Sequence, residues 1–224
     1  GGKVIAKQSA TMYSLKALVL AGAVMAVLWT PGLGLAGPAT DQVKGTFDQV
    51  LKILADPTLK GEQKTKERRA KLHKTVMDQF DFTEMSKRSM GRDWSARTPE
   101  ERTEFVRLFT DLLERTYIDR VEAYTGEQIV YLEETADGNY SEVRTKIITK
   151  RNQEIPISYR LEKADSRWEV YDISIEGVSL VNNYRTQFSK IIRTSSYQNL
   201  VKKMQAKFED EKMTDIGSPK SKVR

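Results

Sequence analysis

Cysteine is absent and histidine occurs once, at His73. No disulfide can brace this chain and no thiol chemistry or cysteine metal site can form. One imidazole cannot assemble a histidine metal centre or a catalytic triad with an evident partner, so His73 reads as a surface or half-buried residue. There is no G-x-S-x-G, no phosphate-cradling glycine loop and no H-E-x-x-H. A membrane-length apolar run is missing too. The longest, Ala17 to Trp29, has about 13 residues and reaches roughly 20 Å as a helix, short of the roughly 30 Å hydrocarbon core. Strong charge of one sign is also lacking, with 37 Lys and Arg against 31 Asp and Glu.

The apolar run is preceded by Lys3, Lys7 and Lys16 and followed by Pro31-Gly32 and the small-residue stretch Gly34-Leu35-Ala36. A positive start, a short apolar centre and a small-x-Ala site make a secretory signal peptide. Residues 1–36 are therefore expected to be the leader, 37–210 the functional domain and 211–224 a disordered basic tail. Removing the three lysines from 37 Lys and Arg, against 31 acids, lowers the net charge from +6 to about +3. That mild excess excludes a dedicated nucleic-acid binder, which needs a strongly basic domain.

The remaining chain opens with helical signals. Thr40 or Asp41 can cap a stripe of Val43, Phe47, Val50, Leu51 and Leu54, ended by Asp56-Pro57. A second helix, Glu62 to Gln79, carries Lys64, Lys66, Arg68, Arg69, Lys71 and Lys74 on one face. That face reads either as a docking surface for anionic headgroups or an acidic partner, or as an ordinary solvated face interleaved with Glu62 and Glu67. Phe82 to Arg88 is a short helical piece. Thr98-Pro99-Glu100-Glu101 is a capping box with proline at the first helical position. Behind it Phe105, Leu108, Phe109, Leu112, Leu113, Tyr117, Val121 and Tyr124 follow helical spacing, and Gly126 closes the helix. A face that wide normally lies across a sheet.

Four strands follow. Ile129–Leu132 and Val143–Ile148 flank the turn Ala136-Asp137-Gly138-Asn139. Ile155–Leu161 and Arg167–Ile175 flank Ala164-Asp165-Ser166. Pro156 cannot donate a ladder bond and belongs at a strand start or edge. Tyr159 and Leu161 share one face. Strict alternation then sets Trp168, Val170, Asp172 and Ser174 against Tyr171, Ile173 and Ile175. Helices Leu180–Arg193 and Tyr197–Glu209 complete an α+β domain: N-terminal helices, a curved four-stranded, mainly antiparallel sheet on a long helix, and C-terminal helices. This is the cystatin or NTF2-like cone, an arrangement that often keeps an apolar cavity. Asp172, beside Tyr171 and Trp168, is the carboxylate to watch. A buried aspartate among tyrosines is how an NTF2-like isomerase builds a proton-transfer site. The competing reading is an arginine pair or a cap on backbone amides.

Several blocks, in order, resemble one family. They are Phe80-Asp81-Phe82 with Met85-Ser86, Gly91-Arg92-Asp93-Trp94, Thr98-Pro99-Glu100-Glu101 with Phe105 and Phe109, and Thr116-Tyr117. Val143-Arg144-Thr145, Tyr159-Arg160-Leu161 and Trp168-x-Val170-Tyr171-Asp172 follow. Glu176-Gly177-Val178-Ser179-Leu180 and Asn183-Tyr184-Arg185 with Phe188 complete the set. From about Phe47 to Phe208 the chain resembles the periplasmic phospholipid-binding proteins of the MlaC and toluene-tolerance type. The resemblance implies a periplasmic lipid shuttle with no catalytic residues and no cofactor. It implies a phospholipid held by its acyl chains, an inner-membrane ABC transporter with a lipid-binding ring as one partner, and an outer-membrane lipoprotein–porin complex as the other. A hopanoid or isoprenoid carrier of the same fold is the alternative within the class. An NTF2-like enzyme using Asp172 and an interaction module using the basic helix stand outside it. On this resemblance the lining is expected from Phe105, Phe109, Leu112, Leu113, Tyr117, Val143, Tyr159, Val178 and Leu180. Arg185 is expected either at the cavity mouth or in a salt bridge to Asp172 or Glu176.

Overall fold

In the computed structural model of the chain, residues 37–209 are described. The expected leader and the basic tail lie outside them. Helix α1 spans Pro38–Ala55. It begins earlier than Thr40 or Asp41, because Pro38 takes the first helical position, where its missing N–H costs nothing. Its N-cap, Gly37, has no side chain, and the Glu134 carboxylate does that work from a strand, accepting the Thr40 N–H at 2.7 Å. Pro57 ends α1 by holding Asp56 extended. After two short 3₁₀ turns, α2 spans Thr65–Met77, so its regular turns start three residues later than the charge pattern suggests.

Helix α3 (Phe82–Met90) is capped by Asp81, which accepts the Glu84 N–H at 2.7 Å. Helix α4 (Pro99–Glu122) begins at the expected capping box, with both reciprocal bonds formed. Strands β1 (Gln128–Asp137), β2 (Tyr140–Ile148), β3 (Glu154–Ala164), β4 (Arg167–Ile175) and β5 (Val178–Ser179) form one sheet in sequence order. Every neighbouring pair is antiparallel. The expected α+β class is thus found, with a two-residue fifth strand added. Helices α5 (Leu180–Thr194) and α6 (Tyr197–Glu209) follow.

The register corrects the expected pleat of β4. A bulge falls between the pairs Arg160–Asp172 and Leu161–Val170. The extra residue, Tyr171, returns Ile173 to the side occupied by Val170, because paired residues share a face. The inner face therefore has four rows: Ile129, Ile147 and Ile155; Tyr131, Thr145, Ile157 and Ile175; Glu134, Val143, Tyr159 and Ile173; Ala136, Ser141, Leu161 and Val170. Asp172 lies on the other face, opposite Arg160.

Buried side chains form two clusters. One is helical and joins α3, α4, α5 and α6 through residues such as Met85, Phe105, Phe109, Tyr184, Phe188 and Leu200. The other joins Ala39 and Val43 of α1 to Val143, Tyr159, Leu161, Trp168 and Val170 of the sheet. Phe80 packs against both. The fully buried face of α4 is thus closed by other helices, while α1 covers the buried rows of the sheet.

Candidate apolar binding site

Burial on the inner face of the sheet is graded. The two rows under α1 are the more closed: Val143, Leu161 and Val170 are buried and Tyr159 is nearly so, with the Phe47 ring edge-on to Tyr159 at 5.7 Å, while Glu134 and Ile173 are half-covered and Ala136 is exposed. The other two rows are only half covered, at Ile129, Tyr131, Ile147, Ile155, Ile157 and Ile175. Thr145 and Tyr131 are the polar side chains in those rows, and the Thr145 hydroxyl donates to the Ile157 carbonyl at 3.2 Å. An apolar surface left partly wet forgoes about 25 cal/mol for each Å² not buried. An apolar ligand laid on it recovers that energy without needing a polar partner. Burial raises the Tyr131 phenol to about 12, with a smaller contribution from nearby Asp48. Burial also pushes up Tyr159, against a smaller opposing influence of the neighbouring Thr145 hydroxyl. Both stay neutral, so the face carries no charge from them.

The nine expected lining residues separate into two groups and one outlier. Phe105, Phe109, Leu112, Leu113 and Leu180 lie in the helical cluster, with Tyr117 half-buried against it. That cluster fills its own space: Phe188 meets Phe105 and Phe109 edge-on, both at 5.5 Å, and Tyr184 meets Phe109 at 5.1 Å. Val143 and Tyr159 lie in the sheet cluster. Val178 is 47% exposed on β5. The isoleucines of the open rows were not among the nine. Their signal was the alternation Ile155-Pro156-Ile157, but only the strand register shows that Ile129 and Ile147 join them.

Asp172 is a structural cap. Its carboxylate accepts the Ser179 hydroxyl at 2.7 Å and the Val181 N–H at 3.0 Å, and Arg160 stands 3.6 Å away. Ser179 in turn caps α5 by accepting the Asn182 N–H. Gly177, at φ +80°, makes the turn that brings these groups together. Of the readings of Asp172, the arginine contact and the cap on backbone amides are both formed. Arg185 takes neither expected role: it donates to the Arg88 carbonyl at 2.8 Å, with its stem against Gly91.

Four cations on the basic face at α2 share two carboxylates. Arg68 and Arg69 both bind Glu122 of α4, at 2.8 and 2.6 Å, and Lys64 and Lys71 both pair with Glu67. Burial alone would raise the Glu122 carboxyl, yet the two arginines hold it below its ordinary value. His73 is half-exposed and meets Glu114 at 2.8 Å. Among the described residues no cluster of acids and histidine is arranged to hold a metal ion. A cleft of ≈ 530 Å³ lies on the outer side of α4, bounded by Met77, Trp94, Val106, Thr110 and charged Arg107 and Asp111. The aromatic stripe of α4 takes no part in it.

Comparison with known proteins agrees on one family. The family model described as MlaC protein matches residues 44–206. The chain is 27% identical over 122 residues to the intermembrane phospholipid transport system binding protein MlaC of Haemophilus influenzae, covering 52% of this chain and 56% of that protein. It therefore spans just over half the length of that curated relative. The solved structure of the phospholipid-binding protein from Ralstonia solanacearum in complex with a phospholipid superposes with a TM-score of 0.69 at 28% identity. That match covers 78% of this chain and 100% of the other.

Proposed function

We propose that this chain, which belongs to the MlaC family, binds a phospholipid by its acyl chains and carries it through the periplasm. Its two docking partners are an inner-membrane ABC transporter with a lipid-binding ring and an outer-membrane lipoprotein–porin complex. One observation carries the reading: the fold is shared along the whole length of a neighbour described as bound to a phospholipid. The half-covered isoleucine rows support it from within. Each methylene moved from water to an apolar site is worth about 0.8 kcal/mol, so a 16-carbon chain brings on the order of 12 kcal/mol before ordering costs. Such a ligand needs a greasy surface rather than a constellation of polar groups.

The acyl chains are assigned to the open rows of the sheet, next to Val143 and Tyr159, while Phe105, Phe109, Leu112, Leu113, Tyr117 and Leu180 are read as helical core outside the contact surface. Val178 is left out of the lining on its exposure. Carriage involves no bond making, which fits an Asp172 already engaged as a cap. The signal-like N-terminus supports export. No helix among the described residues is long and apolar enough to cross a membrane.

Native mass spectrometry of protein purified from a periplasm, followed by extraction and lipid identification, tests the reading. About one phospholipid per chain is the expected result. A hopanoid in its place keeps the carrier and changes the cargo. A folded chain that stays empty after incubation with phospholipid vesicles overturns the proposal.

A further inference from the structure

Glu134 is a half-buried carboxylate on the inner face of β1. It forms no ion pair with lysine or arginine among the described residues, whereas its neighbour Glu133 takes Arg144 at 3.0 Å. Among the described residues its one hydrogen bond is accepted from the Thr40 N–H of α1, and its carboxylate lies directly against Gly37. A Cβ placed on Gly37 would collide with both carboxylate oxygens of Glu134. The need for glycine at this position is spatial, since its φ of −86° is open to any residue. A strand carboxylate that lacks a cation therefore stands beside the residue that follows Gly34-Leu35-Ala36, the small-residue end of the signal-like segment.

We infer that the leader is removed at the Ala36–Gly37 bond and that the new α-ammonium of Gly37 is the missing counter-ion of Glu134. Hydrolysis adds one water across that amide, leaving a carboxylate on Ala36 and an amine on Gly37, which is protonated at neutral pH. The amine and the Thr40 N–H then share one carboxylate, tying the start of the domain to β1. A free amine at a chain terminus titrates at about 7.7–8.0, and a carboxylate partner raises that value. A raised amine contributes stability that is fully present below its unfolded pKa and is lost as pH rises through the folded one.

The inference rests on the export reading, and the test separates the two. The full chain is expressed with its own N-terminus in a Gram-negative host, recovered from the periplasm, and its first residue read by intact mass and N-terminal sequencing. Gly37 is expected. A chain found uncleaved and only in the cytoplasmic fraction overturns export and this inference together. Cleavage at any other bond overturns this inference alone. Thermal melts of the mature protein and of Glu134→Gln at pH 7 and pH 10 complete the test. The unaltered protein should lose about 2–4 °C more than the variant between those pH values. Equal losses would show that the ammonium and the carboxylate are not paired.

Discussion

The helical cluster and the sheet's inner face are built from similar residues and reach different ends. In the helical cluster Phe105, Phe109, Tyr184 and Phe188 are each 0% exposed and contact one another ring to ring. On the sheet burial fades along the strands, from Leu161 and Val170 under α1 to the half-covered Ile129, Ile147 and Ile155. The first region satisfies itself, and the second leaves apolar surface for something else to cover. Hydrophobicity alone does not mark a binding site, because a filled core and a waiting surface read alike in composition. What separates them is whether another element of the chain closes the face.

Four substitutions probe that contrast. Phe109→Ala should be the most damaging, at about 3–5 kcal/mol of stability in denaturant melts, with lipid per folded chain unchanged. Loss of lipid from protein that is still folded would move Phe109 into the site. Glu122→Gln should cost about 2–3 kcal/mol, below the roughly 3–5 of a fully buried pair because the site keeps some solvent. The Glu122 carboxyl is depressed in the folded protein, so its contribution is present above the unfolded carboxyl pKa and lost as pH falls through the folded one. The stability gap between Glu122→Gln and the unaltered protein should therefore narrow below about pH 4. A gap independent of pH would count against the ion pair as its source.

Ile157→Glu, in the open rows, should cut bound lipid at least ~10-fold, equivalent to about 1.4 kcal/mol, while the melting temperature moves by only a few degrees. If stability collapses instead, the open rows are core and the contrast fails. Asp172→Ala should have the smallest effect, about 1 kcal/mol for a lost helix cap, with lipid content intact. A variant that melts normally but loses its lipid would make Asp172 part of the site after all.

Much of the scaffold was legible from residues alone. The capping box at Thr98, the periodic face of α4 and both hairpin turns are local signals, and local hydrogen bonds decide them. The site was harder to see. The bulge at Tyr171 reverses which β4 side chains face inward, and no residue type announces it. It follows from the backbone of Gln79–Asp81 docking on Val170, where Val170 donates to the Gln79 carbonyl at 2.9 Å and Asp81 donates to the Val170 carbonyl at 3.0 Å. Arg185 escaped for a similar reason: its partner is a main-chain carbonyl of α3, and every residue has one of those. For the aromatic stripe of α4, spacing reports that a face is apolar but not what covers it.

On the edge away from β3, the start of β4 is held by side-chain amides. Gln42 of α1 both donates to the Trp168 carbonyl and accepts the Trp168 N–H, the latter at 2.9 Å, and Gln79 donates to the same carbonyl at 3.1 Å. The two glutamines thus imitate a strand backbone along an edge that β5 is too short to reach. Gln42 and Trp168 are 126 residues apart. Neither end of the domain can complete its hydrogen bonding until the other has arrived. Folding should consequently be slow and all-or-none, governed by closing that long loop and not by the hairpins. A chain emerging gradually from a pore would stay pliable until nearly its whole length was through.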